Sequence, residues 1–172
     1  MARDKQHNFT LHLRPHTAKI LQYHCRQKNG VLQIRDSTII GSLIWSQIQP
    51  VNAPLKTEYA GLEKQIDVKL TCRYKRGVQW QNVAWHIDRP SMKRIDKWIN
   101  DFFTWSIYSY FMGMNKPSKA KATKYFMAVY KLSEDDIKYD TIYMDLRRKE
   151  TEAKKHPDPM PILKSLANQP LL

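Results

Sequence analysis

Residues 66–74 read IDVKLTCRY. Ile66, Val68, Leu70, Cys72 and Tyr74 alternate with Asp67, Lys69, Thr71 and Arg73. A period of two belongs to a strand, whose successive side chains leave on opposite faces. One face here is apolar and the other charged, so the strand fits a sheet covered on one side by helices. Lys75-Arg76-Gly77 offers a turn after it, since glycine accepts the positive φ of tight hairpins. Val78–Ile87 then returns as the next strand, with a bulge near Gln81-Asn82 bringing Trp80 and Trp85 into step.

Working toward the N-terminus, Phe9, Leu11 and Leu13 alternate with Thr10, His12 and Arg14, a second half-buried strand. Pro15 ends it and suits the first turn of a helix. Ala18, Ile20, Leu21, His24 and Cys25 share one side of that helix, and Asn29-Gly30 is read as its stop. Val31–Ile34 is a short strand. Ser37 or Thr38 caps a helix over 39–48, with Ile40, Leu43, Ile44 and Ile48 facing inward and Gly41 permitting close packing. Pro50 and Pro54 mark a loop.

Toward the C-terminus, Ser91 caps a long helix over 91–112 that ends at Gly113. Its aromatic and aliphatic residues cover more than one stripe, as expected of a core helix or a subunit contact. Asn115–Ser118 reads as a linker. Ala122, Tyr125, Phe126, Val129 and Tyr130 follow helical spacing, Ser133 with Asp136 approximates a capping box, and a helix from Asp140 or Thr141 ends in Arg147, Arg148 and Lys149. HPDPMP at 156–161 excludes a regular helix. The expected class is therefore α+β, a small antiparallel sheet packed on helices followed by a helical module. The expected parts are an α+β domain over 1–114, a module over 118–150 and an extended tail over 151–172.

The chain has 172 residues, 29 Lys and Arg against 16 Asp and Glu, and a formal net charge of +13. Such an excess attracts polyanions through long-range fields and counterion release. Its two cysteines, Cys25 and Cys72, form neither a C-x-x-C pair nor a disulfide framework, and read as buried reduced thiols. Residues 1–9 lack the apolar run of a signal peptide. Asn100, Asp101, Thr104 and two serines interrupt the apolar stretch at 98–114, which argues against a membrane span. A cytoplasmic protein is expected.

No phosphate-binding glycine loop, dinucleotide fingerprint, nucleophile elbow or H-E-x-x-H sequence is present. His12 and His16 are four apart, but Pro15 breaks the helix that would align them on a metal. His24 and Cys25 leave a helix in different directions. No catalytic residue, metal or cofactor is expected.

Two resemblances bear on function. The segment carrying Phe126, Met127, Tyr130, Ser133, Glu134, Asp135 and Asp136 resembles C-terminal modules of phage and mobile-element proteins, where a helix precedes an acidic cap and a basic final helix. It implies a variant of the helix-turn-helix, in which Lys119, Lys121 and Lys124 meet phosphates while Lys138, Arg147, Arg148 and Lys149 flank or enter the groove. The alternative is that cations at a helix C-terminus only offset its dipole. The order of elements over 9–48 is similar to ribbon-helix-helix repressors, which implies an outward strand carrying Thr10, His12 and Arg14. The apolar run 31–34 suits instead a first strand paired within its own sheet. A third surface is the basic strand face, with Lys69, Arg73, Lys75 and Arg76 near Tyr74 and Trp80.

These readings converge on a non-enzymatic binder of DNA or RNA, a DNA-binding regulator of phage or mobile-element origin acting as a homodimer. The competing expectation is an assembly or interaction factor that grips a protein through the aromatic helix or the tail.

Overall fold

The structure, a computed structural model, describes residues 4–51, 59, 61–73, 84–113 and 118–155. Its elements are β1 (Asp4–Leu13), α1 (Pro15–His24), β2 (Arg26–Lys28), β3 (Val31–Arg35), α2 (Ile39–Gln47), β4 (Gln49–Val51), β5 (Lys64–Arg73), β6 (Ala84–His86), α3 (Arg89–Gly113), α4 (Lys119–Val129) and α5 (Tyr139–Lys155). The fold is α+β. Contacts divide the chain into two compact units, Met1–Trp98 and Ile99–Leu172. The division falls inside α3, whereas the composition break lies at 115–118.

The first unit is built on a four-stranded sheet of order β1-β5-β3-β2. β5 is its central strand. It pairs antiparallel with β1 over ten positions, from Asp4 opposite Arg73 to Leu13 opposite Lys64. On its other side β5 runs parallel to β3, with Lys69 beside Gln33. The sheet is thus mixed rather than purely antiparallel. The chain between β3 and β5 passes through α2 and β4, and so returns in the same direction.

Strand parity decides which side is covered. Leu11, Leu13, Leu32, Ile34, Ile66, Val68, Leu70 and Cys72 are buried, together with Ala18, Ile20 and Leu21 of α1, Ile44 of α2, Ile48, and Met92 and Ile95 of α3. Pro15 opens α1 as its first residue. Thr38 caps α2, its Oγ1 accepting from the Gly41 N–H at 3.0 Å. A Cβ on Gly41 would lie 1.8 Å from the Arg35 carbonyl oxygen, so only glycine lets α2 come this close to the end of β3.

Several local expectations are corrected. Asn29-Gly30 does not stop α1, which ends at His24. Both residues have positive φ, 52° and 78°, and they join β2 to β3 with Lys28 opposite Val31. Asn-Gly is the preferred sequence of such a turn because its twist matches the flanking strands. Pro50 sits in β4, an edge strand that pairs with β6, where a missing N–H is tolerated. The described part of the 78–87 strand therefore pairs with β4 and not with β5. The turn at 75–77, the bulge at 81–82, the linker at 115–117 and the tail beyond 155 lie outside the described residues. Asp88, not Ser91, caps α3: its Oδ1 accepts the Ser91 N–H at 2.7 Å.

In the second unit, Ile99, Phe103, Ile107 and Phe111 recur every four residues along α3 and are buried. Phe103 meets the edges of Phe126 and Tyr130 of the α4 segment at 6.2 and 5.2 Å between centroids. Ile142 and Leu146 of α5 are buried as well. α4 ends in a Schellman motif: the Leu132 N–H donates to the Met127 carbonyl and the Lys131 N–H to that of Ala128. Lys131 takes the left-handed position, φ 53°, that glycine usually fills. α5 begins one residue before the expected start, at Tyr139, whose N–H donates to Glu134 Oε2 at 3.2 Å. It continues to Lys155, past the expected change at 151.

Candidate nucleic-acid interface

On the side of the four-stranded sheet away from α1 and α2, no helix of the described residues is packed over the strands, and His12, stacked on Tyr59, is partly covered. β1 contributes Gln6, Asn8, Thr10 and His12 to this side, and β5 Gln65, Asp67, Lys69 and Thr71. β3 adds Val31, Gln33 and Arg35, and β2 adds Arg26 and Lys28. Val31 alone among these is apolar. Among the described side chains of this face, the cations Arg26, Lys28, Arg35 and Lys69 stand with one carboxylate, Asp67, and Thr10 Oγ1 donates to that carboxylate at 2.9 Å.

The register aligns Asn8, Lys69, Gln33 and Arg26 in one row across all four strands. Strands about 4.8 Å apart make such a row roughly 14 Å long. A shallow concavity of about 590 Å³ lies on this row, lined among others by Asn8, Thr10, Lys28, Gln33, Asp67 and Lys69. Its lining combines the apolar Phe9, Val31 and Val68 with amides, a hydroxyl and the cations Lys28 and Lys69, and the polar groups can bond a sugar–phosphate chain. His12 stacks on Tyr59 at 4.1 Å, and burial pushes its pKa below the ordinary 6.5, so it adds no charge at neutral pH.

The residues singled out from sequence separate into three groups. Arg14 serves the fold. Its Nε lies 2.6 Å from Asp96 Oδ2 and its backbone N–H donates to Oδ1 at 2.9 Å, while Thr17 Oγ1 also donates to Oδ1. These bonds fix the β1–α1 corner against α3. Lys119 is likewise committed, to Glu150 Oε2 at 2.6 Å; that hydrogen bond holds the Glu150 carboxyl below its usual 4.5, and Lys154 adds to it. Lys149 bonds Glu152 at 3.0 Å and lies 4.9 Å from the centre of the Trp105 ring. Arg148 reaches Asp145 at 3.2 Å from an exposed position.

A second group is exposed: Lys121 and Lys124 on α4, Lys138 before α5, and Arg147 on α5. None of the four has an ion-pair partner among the described residues. Lys69 is half-buried on the open sheet face. Arg73 closes β5 opposite Asp4. Lys75 and Arg76, the third group, lie outside the described residues.

α4 and α5 are joined by nine residues, 130–138, where a helix-turn-helix uses three or four. Within that connection Asp136 Oδ2 accepts from both the N–H and the hydroxyl of Ser133 at 2.8 Å, while Glu134 and Asp135 are exposed. Two exposed carboxylates in the connection would repel phosphates brought against it. β1 is paired along its length with β5, as the alternative to a ribbon-helix-helix strand required.

Sequence reasoning missed Arg26, Lys28, Arg35 and the amides of their row, because 26–28 was absorbed into the helix before it. The Asn29-Gly30 pair between two short runs was the available signal. Among the described residues, no three His, Cys, Asp or Glu side chains are grouped to hold a metal ion. Burial pushes the Cys25 thiol up to about 11; burial, then the Asp36 charge, takes Cys72 to about 12, so neither is a thiolate at neutral pH. No helix of the described residues is long and apolar enough to cross a membrane. Comparison of the chain with protein-family models, curated proteins and solved structures returned no match.

Proposed function

We propose that the protein binds nucleic acid and that the open sheet face holds the sugar–phosphate chain. The observation that carries this is the row Asn8–Lys69–Gln33–Arg26, whose first three residues line the concavity, beside Asp67, the one carboxylate among the described side chains of these strands' open face, which Thr10 already engages. The net charge of +13 supplies the long-range attraction. The likeness of the 126–136 segment to phage and mobile-element proteins extends the reading to a DNA-binding regulator acting as a homodimer.

The row offers cations and amides and no aromatic ring, so it favours backbone contacts over base stacking. Four phosphate contacts give a slope of log affinity against log salt of roughly −3 to −4 on a duplex. Fluorescence anisotropy with a labelled duplex measures it. Replacing Arg26 and Lys69 with Ala should flatten the slope by about 2. An unchanged slope, or no binding at low salt, removes the reading. Sedimentation of the free protein and of its complex tests the homodimer.

A second reading, an assembly or interaction factor, is favoured by the large apolar side chains left exposed at Tyr23, Met112, Tyr125 and Met144. It predicts association with a protein that persists as salt is raised.

A further inference from the structure

α4 presents a second surface, different in chemistry from the sheet face. Lys121, Lys124, Tyr125 and Ala128 are exposed at i, i+3, i+4 and i+7, one outward stripe, while Ala122, Thr123 and Phe126 face the core. The helix contains no carboxylate. Lys119 is tied to Glu150, but Lys121 and Lys124 have no ion-pair partner among the described residues.

Tyr125 stands between these cations with 48% of its surface exposed. Its ring is not loose. It lies parallel to Tyr110, at 4.8 Å and 3° between planes, and Phe126 meets it edge-on at 5.5 Å. Tyr110 therefore occupies one side of the ring, and a further stacking partner has to use the other. A ring already held in place gives up little rotamer freedom when something stacks on it.

We propose that this stripe binds an unpaired stretch of nucleic acid, with one base stacked on Tyr125 and the adjoining phosphates on Lys121 and Lys124. The proposal rests on the nucleic-acid reading above but uses a surface of the other unit. Bases stack on aromatic rings irrespective of sequence, since every base has a π-face. A paired base has both faces covered by its neighbours in the duplex, so the Tyr125 surface selects single strands. The row Asn8–Lys69–Gln33–Arg26 of the sheet face contains no aromatic ring and does not discriminate in this way.

The test compares the full-length protein and its variants on a single-stranded oligonucleotide and on the corresponding blunt duplex. The oligonucleotide carries a fluorescent base analogue whose emission falls on stacking. Tyr125→Ala should weaken single-strand binding about tenfold and abolish the quenching, with duplex affinity unchanged. Tyr125→Phe should retain both. Lys124→Glu, an exposed change that leaves the core intact, should weaken single-strand binding severalfold and guards against loss of folding in Tyr125→Ala. Single-strand affinity and quenching unaffected by Tyr125→Ala and Lys124→Glu would overturn the proposal while leaving the sheet reading in place. Wild-type protein that binds neither oligonucleotide would overturn both.

Discussion

Asp96 shows how one side chain can take a cation away from function. It is buried, and it receives the Arg14 guanidinium, the Arg14 N–H and the Thr17 hydroxyl. Asp96→Ala strands those donors at the β1–α1 corner and should cost about 2–4 kcal/mol in urea unfolding. Arg14→Ala should lower stability too, yet leave duplex affinity within about twofold; a large loss of affinity without a loss of stability would return Arg14 to the interface. Gly41 makes the opposite point about propensity. Alanine is the better helix former by about 1 kcal/mol. Its Cβ would nevertheless meet backbone, the Arg35 oxygen at 1.8 Å, which cannot rotate away. Gly41→Ala should therefore destabilise by about 3 kcal/mol, and a neutral result would mean that α2 can slide off β3.

At the scale of elements, a helix end contributes to the pH dependence. Asp88 caps α3, and its hydrogen bonds with Ser91 hold its carboxyl below the usual 3.8. A carboxyl with a depressed pKa stabilises the fold above its unfolded value and loses that contribution as pH falls through the folded one. Stability should thus decline below about pH 4. Asp88→Asn should flatten part of that decline, and thermal melts at pH 3 and 6 compare the two proteins. Lys131 offers a gain instead. It occupies the left-handed position of the α4 cap, and Lys131→Gly should stabilise by about 0.5–1 kcal/mol in the same melts. Much at this scale was legible beforehand. The alternation of β1 and β5, Pro15 at the start of α1, the Thr38 cap and the 119–129 helix all follow from local spacing. The partners were not legible, because a strand's period fixes which side it buries but not what lies next to it. The parallel β3–β5 pairing and the β4–β6 pair depend on contacts distant in sequence. The site suffered most from one local error: with 26–28 assigned to a helix, Arg26 and Lys28 could not be placed in a row with Lys69.

For the whole molecule, the decisive question is which of the 29 cations remain available to a partner. Arg14, Lys119, Lys149 and Lys154 pair with carboxylates of the chain, and Arg148 reaches Asp145. On α5 the positive residues alternate with Asp145, Glu150 and Glu152, so its outer surface is mixed in sign. The described charged side chains of the sheet face are mostly of one sign, so under the proposed function counterions would gather there and be released by a bound phosphate chain. Two double variants with equal loss of charge should consequently behave differently. Arg26→Ala with Lys69→Ala removes cations from a face where Thr10 engages the carboxylate of Asp67, and should flatten the salt slope by about 2. Arg147→Ala with Arg148→Ala removes the same formal charge but frees Asp145, and should change the slope by less than about 0.5. Both must be measured on one duplex between about 50 and 200 mM salt, where the slope is well defined. If the α5 pair flattened the slope as much as the sheet pair, the basic end of α5 would have to touch phosphates despite its acidic neighbours. The helical pair, with its nine-residue connection, would then be the reading element after all.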